Sequence, residues 1–193
     1  MNFPNILTTI RIIVALIAPF FLINGSLWTR VIAGAFIFLA IITDWLDGWY
    51  ARKYNEVTKL GKILDPIADK VLIIITFSVF VYLEVVSFWW IIPIFIREIV
   101  VSIYRFIFLS QNIVIAATKS GKIKTVIQMI TLGIAYFWFL THKHFKEYYT
   151  DNFTIILKVA LSIMLFFTIK SGIDFIISNW QNIKKFHQIS SQK

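Results

Sequence analysis

Six long apolar runs separated by short polar breaks limit what this 193-residue chain can become more than any other feature in it. They cover residues 6–23, 31–50, 65–83, 88–109, 123–140 and 153–177. Each is close to the roughly 20 helical residues that cross a hydrocarbon core. In lipid every backbone N–H and C=O must be satisfied inside its own segment, so such runs fold as helices. A mean hydropathy of +0.78, with 59% hydrophobic and only 15% charged residues, is too apolar for an ordinary soluble domain. The expectation is an all-α integral membrane protein: a single domain over residues 1–193, with six transmembrane helices and a polar cavity at one membrane surface.

Local signals refine this layout. The first run has Arg11 inside it and no small-residue cleavage site after it, so it reads as a span and not as a leader. Asn24-Gly25-Ser26 is a turn, and Ala33-Gly34-Ala35 lacks the bulk to keep a neighbouring helix away. The third helix is expected to begin near Asp65-Pro66, because Pro is tolerated in a first turn. Pro93 should kink the fourth.

Six spans put both termini on one side. The loop 52–62, the start of the fifth run and the C-terminal tail hold ten Lys and Arg, against Arg30, Lys143 and Lys146 on the other side. The positive side faces the cytoplasm, here of the cell membrane. A net charge of +9 with no basic tract separate from the apolar runs points to anionic lipid and phosphate, and away from nucleic acid. The absence of Cys removes thiol chemistry.

Asp and Glu number only ten, yet Asp44, Asp47, Asp65 and Asp69 crowd around one cytoplasmic break. On helices the first pair lies about 60° apart and the second about 40° apart, so each pair shares a face. Four carboxylates at one depth repel unless a cation sits among them, and hard oxygens suit Mg²⁺, Mn²⁺ or Ca²⁺. Taken singly, Asp65 before Pro66 also suits a helix N-cap. Any one of the four can pair with Lys62 or Lys70. Neither reading explains the shared faces or the joint spacing. His142-Lys143-His144, the other metal-like pattern, sits on the opposite side without acidic partners and reads as surface.

From Asp44 to Asp69 the chain spells D-x-x-D-G-x-x-A-R, eight residues, then G-x-x-x-D-x-x-x-D. This resembles the signature of the CDP-alcohol phosphatidyltransferases. The motif covers 26 residues, and the six-span layout extends the likeness over the whole chain. The resemblance implies transfer of a phosphatidyl group from CDP-diacylglycerol to an alcohol, with release of CMP. It implies one or two Mg²⁺ or Mn²⁺ ions on Asp44, Asp47 and Asp65, with Asp69 as general base and contact to the second ion. Asp47, Gly48, Ala51 and Arg52 would meet the donor, Gly61 would also lie on the donor side and ease the turn into the third span, and the protein would be a homodimer.

Arg97 and Arg105 lie inside an apolar run, where an ionised side chain costs about 2.5–3.5 kcal/mol on insertion scales, so each should face a polar interior. With Lys122 and Lys124 they can bind a phosphate on the acceptor; pairing of Arg97 with Glu98, and an ordinary cytoplasmic flank for the lysines, are the plainer readings. Residues 64–70, Gly121-Lys122-Ile123-Lys124-Thr125 with Gln128, and Pro4-Asn5-Ile6-Leu7-Thr8 with Arg11 are similar to bacterial members of the family whose acceptor is sn-glycerol 3-phosphate. Asn5, Thr8 and Arg11 recur every three residues and can face the donor, or can serve as a cap and interfacial anchor. Serine or inositol phosphate as acceptor, and more remotely a cation transporter with the four Asp as its ion site, are the competing readings.

Overall fold

The computed structural model describes residues 3–53, 59–110, 118–144, 150–180, 182 and 184, and within these the side chains of 8–43, 70–108, 118–142, 152–180, 182 and 184. The described residues form six helices and no strand: α1 (Phe3–Asn24), α2 (Leu27–Lys53), α3 (Lys59–Tyr82), α4 (Phe88–Ser110), α5 (Lys119–His144) and α6 (Thr150–Ser178). Two of them, over Lys119–His142 and Asn152–Ser178, are long and apolar enough to cross a membrane. Thr8–Asn24, Leu27–Thr43 and Lys70–Tyr82 are shorter apolar stretches.

The expected helix boundaries hold to within a few residues, except at α3. That helix starts at Lys59, six residues before the expected Asp65. In the sequence Leu60, Ile63 and Leu64 recur at helical spacing, a pattern compatible with a helix that runs on through Pro66.

By contact the chain divides into two compact units, Met1–Phe88 with Leu132–Leu157, and Trp89–Thr131 with Lys158–Lys193. In the first, α1 packs against both α2 and α3. Thr8, Arg11, Ala15, Ala18 and Leu22 follow the three-and-four spacing of one helix face and are all buried. Ile10, Ile13, Ile17 and Phe20 point outward, as a lipid-facing surface does.

The α1–α2 turn falls on Gly25 and Ser26, as expected. A Cβ on Gly25 would meet the Phe21 carbonyl and the Thr29 hydroxyl at 2.2 Å, so only glycine fits. Arg30 is not a loop charge. It lies in α2, buried, and its Nε donates to Leu22 O at 3.1 Å and its terminal nitrogen to Ile23 O at 3.5 Å. The guanidinium thereby satisfies carbonyls that the end of α1 leaves unpaired, and it lies 5.2 Å from the Phe139 ring centroid.

Gly34 provides the close approach expected of its small-residue cluster. Its neighbour is Tyr136 of α5, whose Cζ lies 2.0 Å from where a Cβ would stand and whose hydroxyl donates to Arg30 O at 3.0 Å. The end of α3 is closed by a Schellman motif: Val85 N–H donates to Phe80 O and Glu84 N–H to Val81 O, with Glu84 at φ 59° and Phe80 and Val85 both buried.

In the second unit α5 and α6 run antiparallel. Arg97 lies near both Gly121 of α5 and Gly172 of α6, while ten residues further along α5 Thr131 donates to Ala160 O at 3.4 Å, twelve residues back along α6.

Candidate functional site

In the first unit, continuous helix carries all four aspartates. Asp44 and Asp47 lie in the last turns of α2, and Asp65 and Asp69 are the seventh and eleventh residues of α3. Each pair therefore does share a helix face. The early start of α3 also makes two corrections. Asp65 is inside the helix and is not its N-cap, and Gly61 is the third helical residue, so it does not form the turn into α3. The side chains of Asp44, Asp47, Gly48, Ala51, Arg52, Gly61, Asp65, Asp69 and Asn5 lie outside the described residues. Among the described residues, no three His, Cys, Asp or Glu side chains cluster as a metal site.

Near the start of α1 two polar side chains are buried. Thr8 and Arg11 are each 1% exposed. Arg11 Nε donates at 3.3 Å to Ala40 O, which also accepts from Thr43 Oγ1 at 3.0 Å. Ala40 lies four residues before Asp44, and helical geometry pairs its carbonyl with the Asp44 N–H. Arg11 of α1 is thus fixed to the turn of α2 from which the first carboxylate pair begins.

His142, part of the H-x-H pattern, stacks on Trp138 with centroids 4.4 Å apart and planes 9° apart. Trp138 in turn donates Nε1 to Thr154 Oγ1 at 3.1 Å. His142 is therefore not the plain surface residue expected: it is half-buried against Trp138, and its Nδ1 is buried with no hydrogen-bond partner among the described residues.

In the second unit a cluster of charge is buried around Glu98. Arg97 donates to Glu98 Oε1 at 3.2 Å, and Lys124 pairs with the same oxygen across 26 residues of sequence. Arg105 stands two turns further along the same helix, α4, with its Nε buried. The plainer reading of Arg97, an ion pair with its neighbour, is therefore part of the structure. It does not exhaust the cluster: among the described residues Lys124 shares the same carboxylate oxygen, and Arg97, Arg105 and Lys124 outnumber Glu98 as three cations to one acid. Two of their donors, Arg97 Nε and Arg105 Nε, are buried without a hydrogen-bond partner among the described residues.

Arg97 runs between the two neighbouring helices, close to both: a Cβ on Gly172 would stand in ordinary contact with its Cγ at 3.5 Å, and one on Gly121 with its terminal nitrogen at 3.7 Å. Lys122 does not join the cluster. It is exposed while Lys124 is 3% exposed, as residues two apart on a helix must point to different faces.

Sequence reasoning did not place Glu98 at the centre of this cluster, and it left Gln128 without a role. Gln128 is fully buried one turn along α5 from Lys124. The available signal was the row Lys124, Gln128 and Thr131, three polar residues at helical spacing in an apolar run.

These features define a class: a helical membrane protein that carries two helical carboxylate pairs and a cluster of Arg97, Arg105, Lys124 and Glu98 set within its apolar helices. Comparison with known proteins narrows the class. The CDP-alcohol phosphatidyltransferase family matches residues 1–169, and the chain belongs to that family. It is 34% identical to a CDP-diacylglycerol–glycerol-3-phosphate 3-phosphatidyltransferase of Bacillus subtilis (strain 168), over 95% of this chain and 97% of the relative. Proteins of the same description from Escherichia coli (strain K12) and Salmonella paratyphi A are each 37% identical, over 68% of this chain and 75% of theirs.

Proposed function

We propose that this protein transfers the phosphatidyl group of CDP-diacylglycerol to sn-glycerol 3-phosphate, giving phosphatidylglycerophosphate and CMP. The observation that carries the reading is the likeness, over nearly the full length of both chains, to a relative described by that reaction. The cations Arg97, Arg105 and Lys124, which outnumber Glu98 among the described residues, support an acceptor that bears a phosphate, since a phosphate monoester carries about −1.5 to −2 charges at neutral pH.

The carboxylate set fits a divalent metal. Two pairs on two helix faces offer oxygen ligands alone, which suits Mg²⁺ or Mn²⁺ in one or two sites. Asp44, Asp47 and Asp65 would hold the ion or ions, with Asp69 beside the second. Such an ion would neutralise the pyrophosphate and polarise the reacting phosphorus.

The chain's own groups do the rest. Asn5, Thr8, Asp47, Gly48, Ala51 and Arg52 bind the donor, and Arg11 adds fixed positive charge at the α2 turn before Asp44. Arg97, Arg105 and Lys124 hold the acceptor phosphate. Asp69 takes the proton from the acceptor's primary hydroxyl as that oxygen bonds to the phosphatidyl phosphorus. The bond from phosphorus to the CMP oxygen breaks, and CMP leaves with the electron pair.

We place the chain in the cell membrane with six spans, with its termini and carboxylate site on the cytoplasmic side, and as a homodimer. With Arg30 assigned to a helix end and Lys124 to a buried ion pair, the charge asymmetry becomes nine against two, which still supports that orientation.

CMP release by purified protein with CDP-diacylglycerol tests the proposal, using glycerol 3-phosphate, serine and inositol phosphate in turn as acceptors. Release with glycerol 3-phosphate above the other two is expected. Preference for either of the others would reassign the acceptor. Metal-dependent cation uptake into liposomes without CMP release would point to a transporter instead.

A further inference from the structure

We propose that Gln128 is a specificity-determining residue of the acceptor pocket, its side-chain amide pairing with the non-reacting hydroxyl of the phosphorylated acceptor. This rests on the proposed reaction and adds to it a residue that reads the polyol and not its phosphate.

Gln128 is fully buried, and among the described residues neither its Oε1 nor its Nε2 has a hydrogen-bond partner. A buried amide left wholly unpaired is costly and uncommon in a folded protein, so the position needs an explanation beyond packing. Its immediate neighbours offer little. Thr131 is the next polar residue on the same face, and its hydroxyl already donates to Ile127 O at 2.8 Å and lies 3.4 Å from Ala160 O. The α5–α6 register places Gln128 opposite the buried Met164, whose thioether is a weak acceptor at best.

In the other direction, one turn back along α5, lies Lys124 with Glu98, Arg97 and Arg105. That turn spans about 6 Å along the axis and about 40° around it, so Lys124 and Gln128 face the same interior. A three-carbon phosphate monoester bridges such a gap. Its phosphate sits on the three cations, and the hydroxyl on the middle carbon reaches an amide that can both donate and accept. Arg97 Nε and Arg105 Nε, also buried without hydrogen-bond partners among the described residues, are donors for the phosphate end. A glutamine suits this task because it is neutral: a further cation would not tell a hydroxyl from a methylene, whereas a buried amide left unpaired by the wrong acceptor does.

The test compares two acceptors, sn-glycerol 3-phosphate and 3-hydroxypropyl phosphate, which lacks the middle hydroxyl, using full-length wild-type protein and Gln128→Met. Wild type should favour the glycerol compound in kcat/KM by at least ~10-fold. Gln128→Met should bring that preference to within ~3-fold, through loss on the glycerol compound with little change on its deoxy analogue. The ligand-free variant should melt at the wild-type temperature or above it, because it has lost an unpaired buried amide.

A Gln128→Met protein that keeps the preference overturns the proposal, and so does parallel loss on both acceptors with a lowered melting point, which is the mark of a packing role. If Gln128→Met does not fold, wild type alone decides: equal use of the two acceptors overturns the proposal. Wild type that releases CMP with neither acceptor overturns the proposed reaction itself, a result distinct from all of these.

Discussion

Glu98→Gln is the substitution whose consequence the structure defines most sharply. The change is isosteric and removes the carboxylate that Arg97 and Lys124 share among the described residues, in a site where Glu98 is 6% and Lys124 3% exposed. Breaking a buried pair by removing one partner costs about 3–5 kcal/mol, because the remaining charge stays desolvated. For a chain of this length each kcal/mol moves the midpoint by roughly 2–4 °C, so thermal unfolding of the purified protein should fall by about 6–20 °C.

Two controls separate charge from shape. Glu98→Gln/Lys124→Met replaces the pair with neutral groups and should recover most of the loss. Inorganic phosphate should raise the midpoint of Glu98→Gln more than that of wild type, since an anion then substitutes for the missing carboxylate. A midpoint shift under about 2 °C in the single variant, or a double variant less stable than the single one, would refute the reasoning.

Other outcomes follow from separate parts of the fold. Glu84→Gly should stabilise by about 0.5–1 kcal/mol, seen as a raised thermal midpoint, because Glu84 holds the left-handed position of the α3 Schellman cap at φ 59° and is exposed. Gly34→Ala should cost about 1–3 kcal/mol by overpacking against the Tyr136 ring 2.0 Å away, and Tyr136→Ala should relieve much of that in the double variant, measured by the same midpoint. Chelation with EDTA should abolish CMP release, and added Mg²⁺ or Mn²⁺ should restore it; activity that persists after thorough chelation would remove the metal from the proposed reaction.

The helical layout was legible because hydrophobic runs set it directly. The Gly25–Ser26 turn and the close approach at Gly34 were legible because glycine marks both. The start of α3 was not, since Pro66 and the charges from Arg52 to Lys62 look like a loop, whereas the helix begins at Lys59, where Leu60, Ile63 and Leu64 recur at helical spacing.

The carboxylate pattern could be read as spacing along two helices. The Glu98 cluster could not, because its Lys124 bond joins residues 26 apart and depends on how α4 meets α5. Arg30 was misread as a loop charge for the same reason: nothing local reveals that its guanidinium turns back onto Leu22 and Ile23. Lys122 and Lys124 show the opposite case. Helical geometry alone separates residues two apart, and that separation was there to be read.

The most direct measurement is product formation by purified protein reconstituted with CDP-diacylglycerol and glycerol 3-phosphate, with the lipid product identified by mass spectrometry and CMP counted in parallel. Wild type should yield phosphatidylglycerophosphate and CMP in equal amounts, and Asp69→Asn should yield neither while still binding the donor. CMP release without that lipid, or substantial turnover by Asp69→Asn, would contradict the proposed reaction or the assigned base respectively.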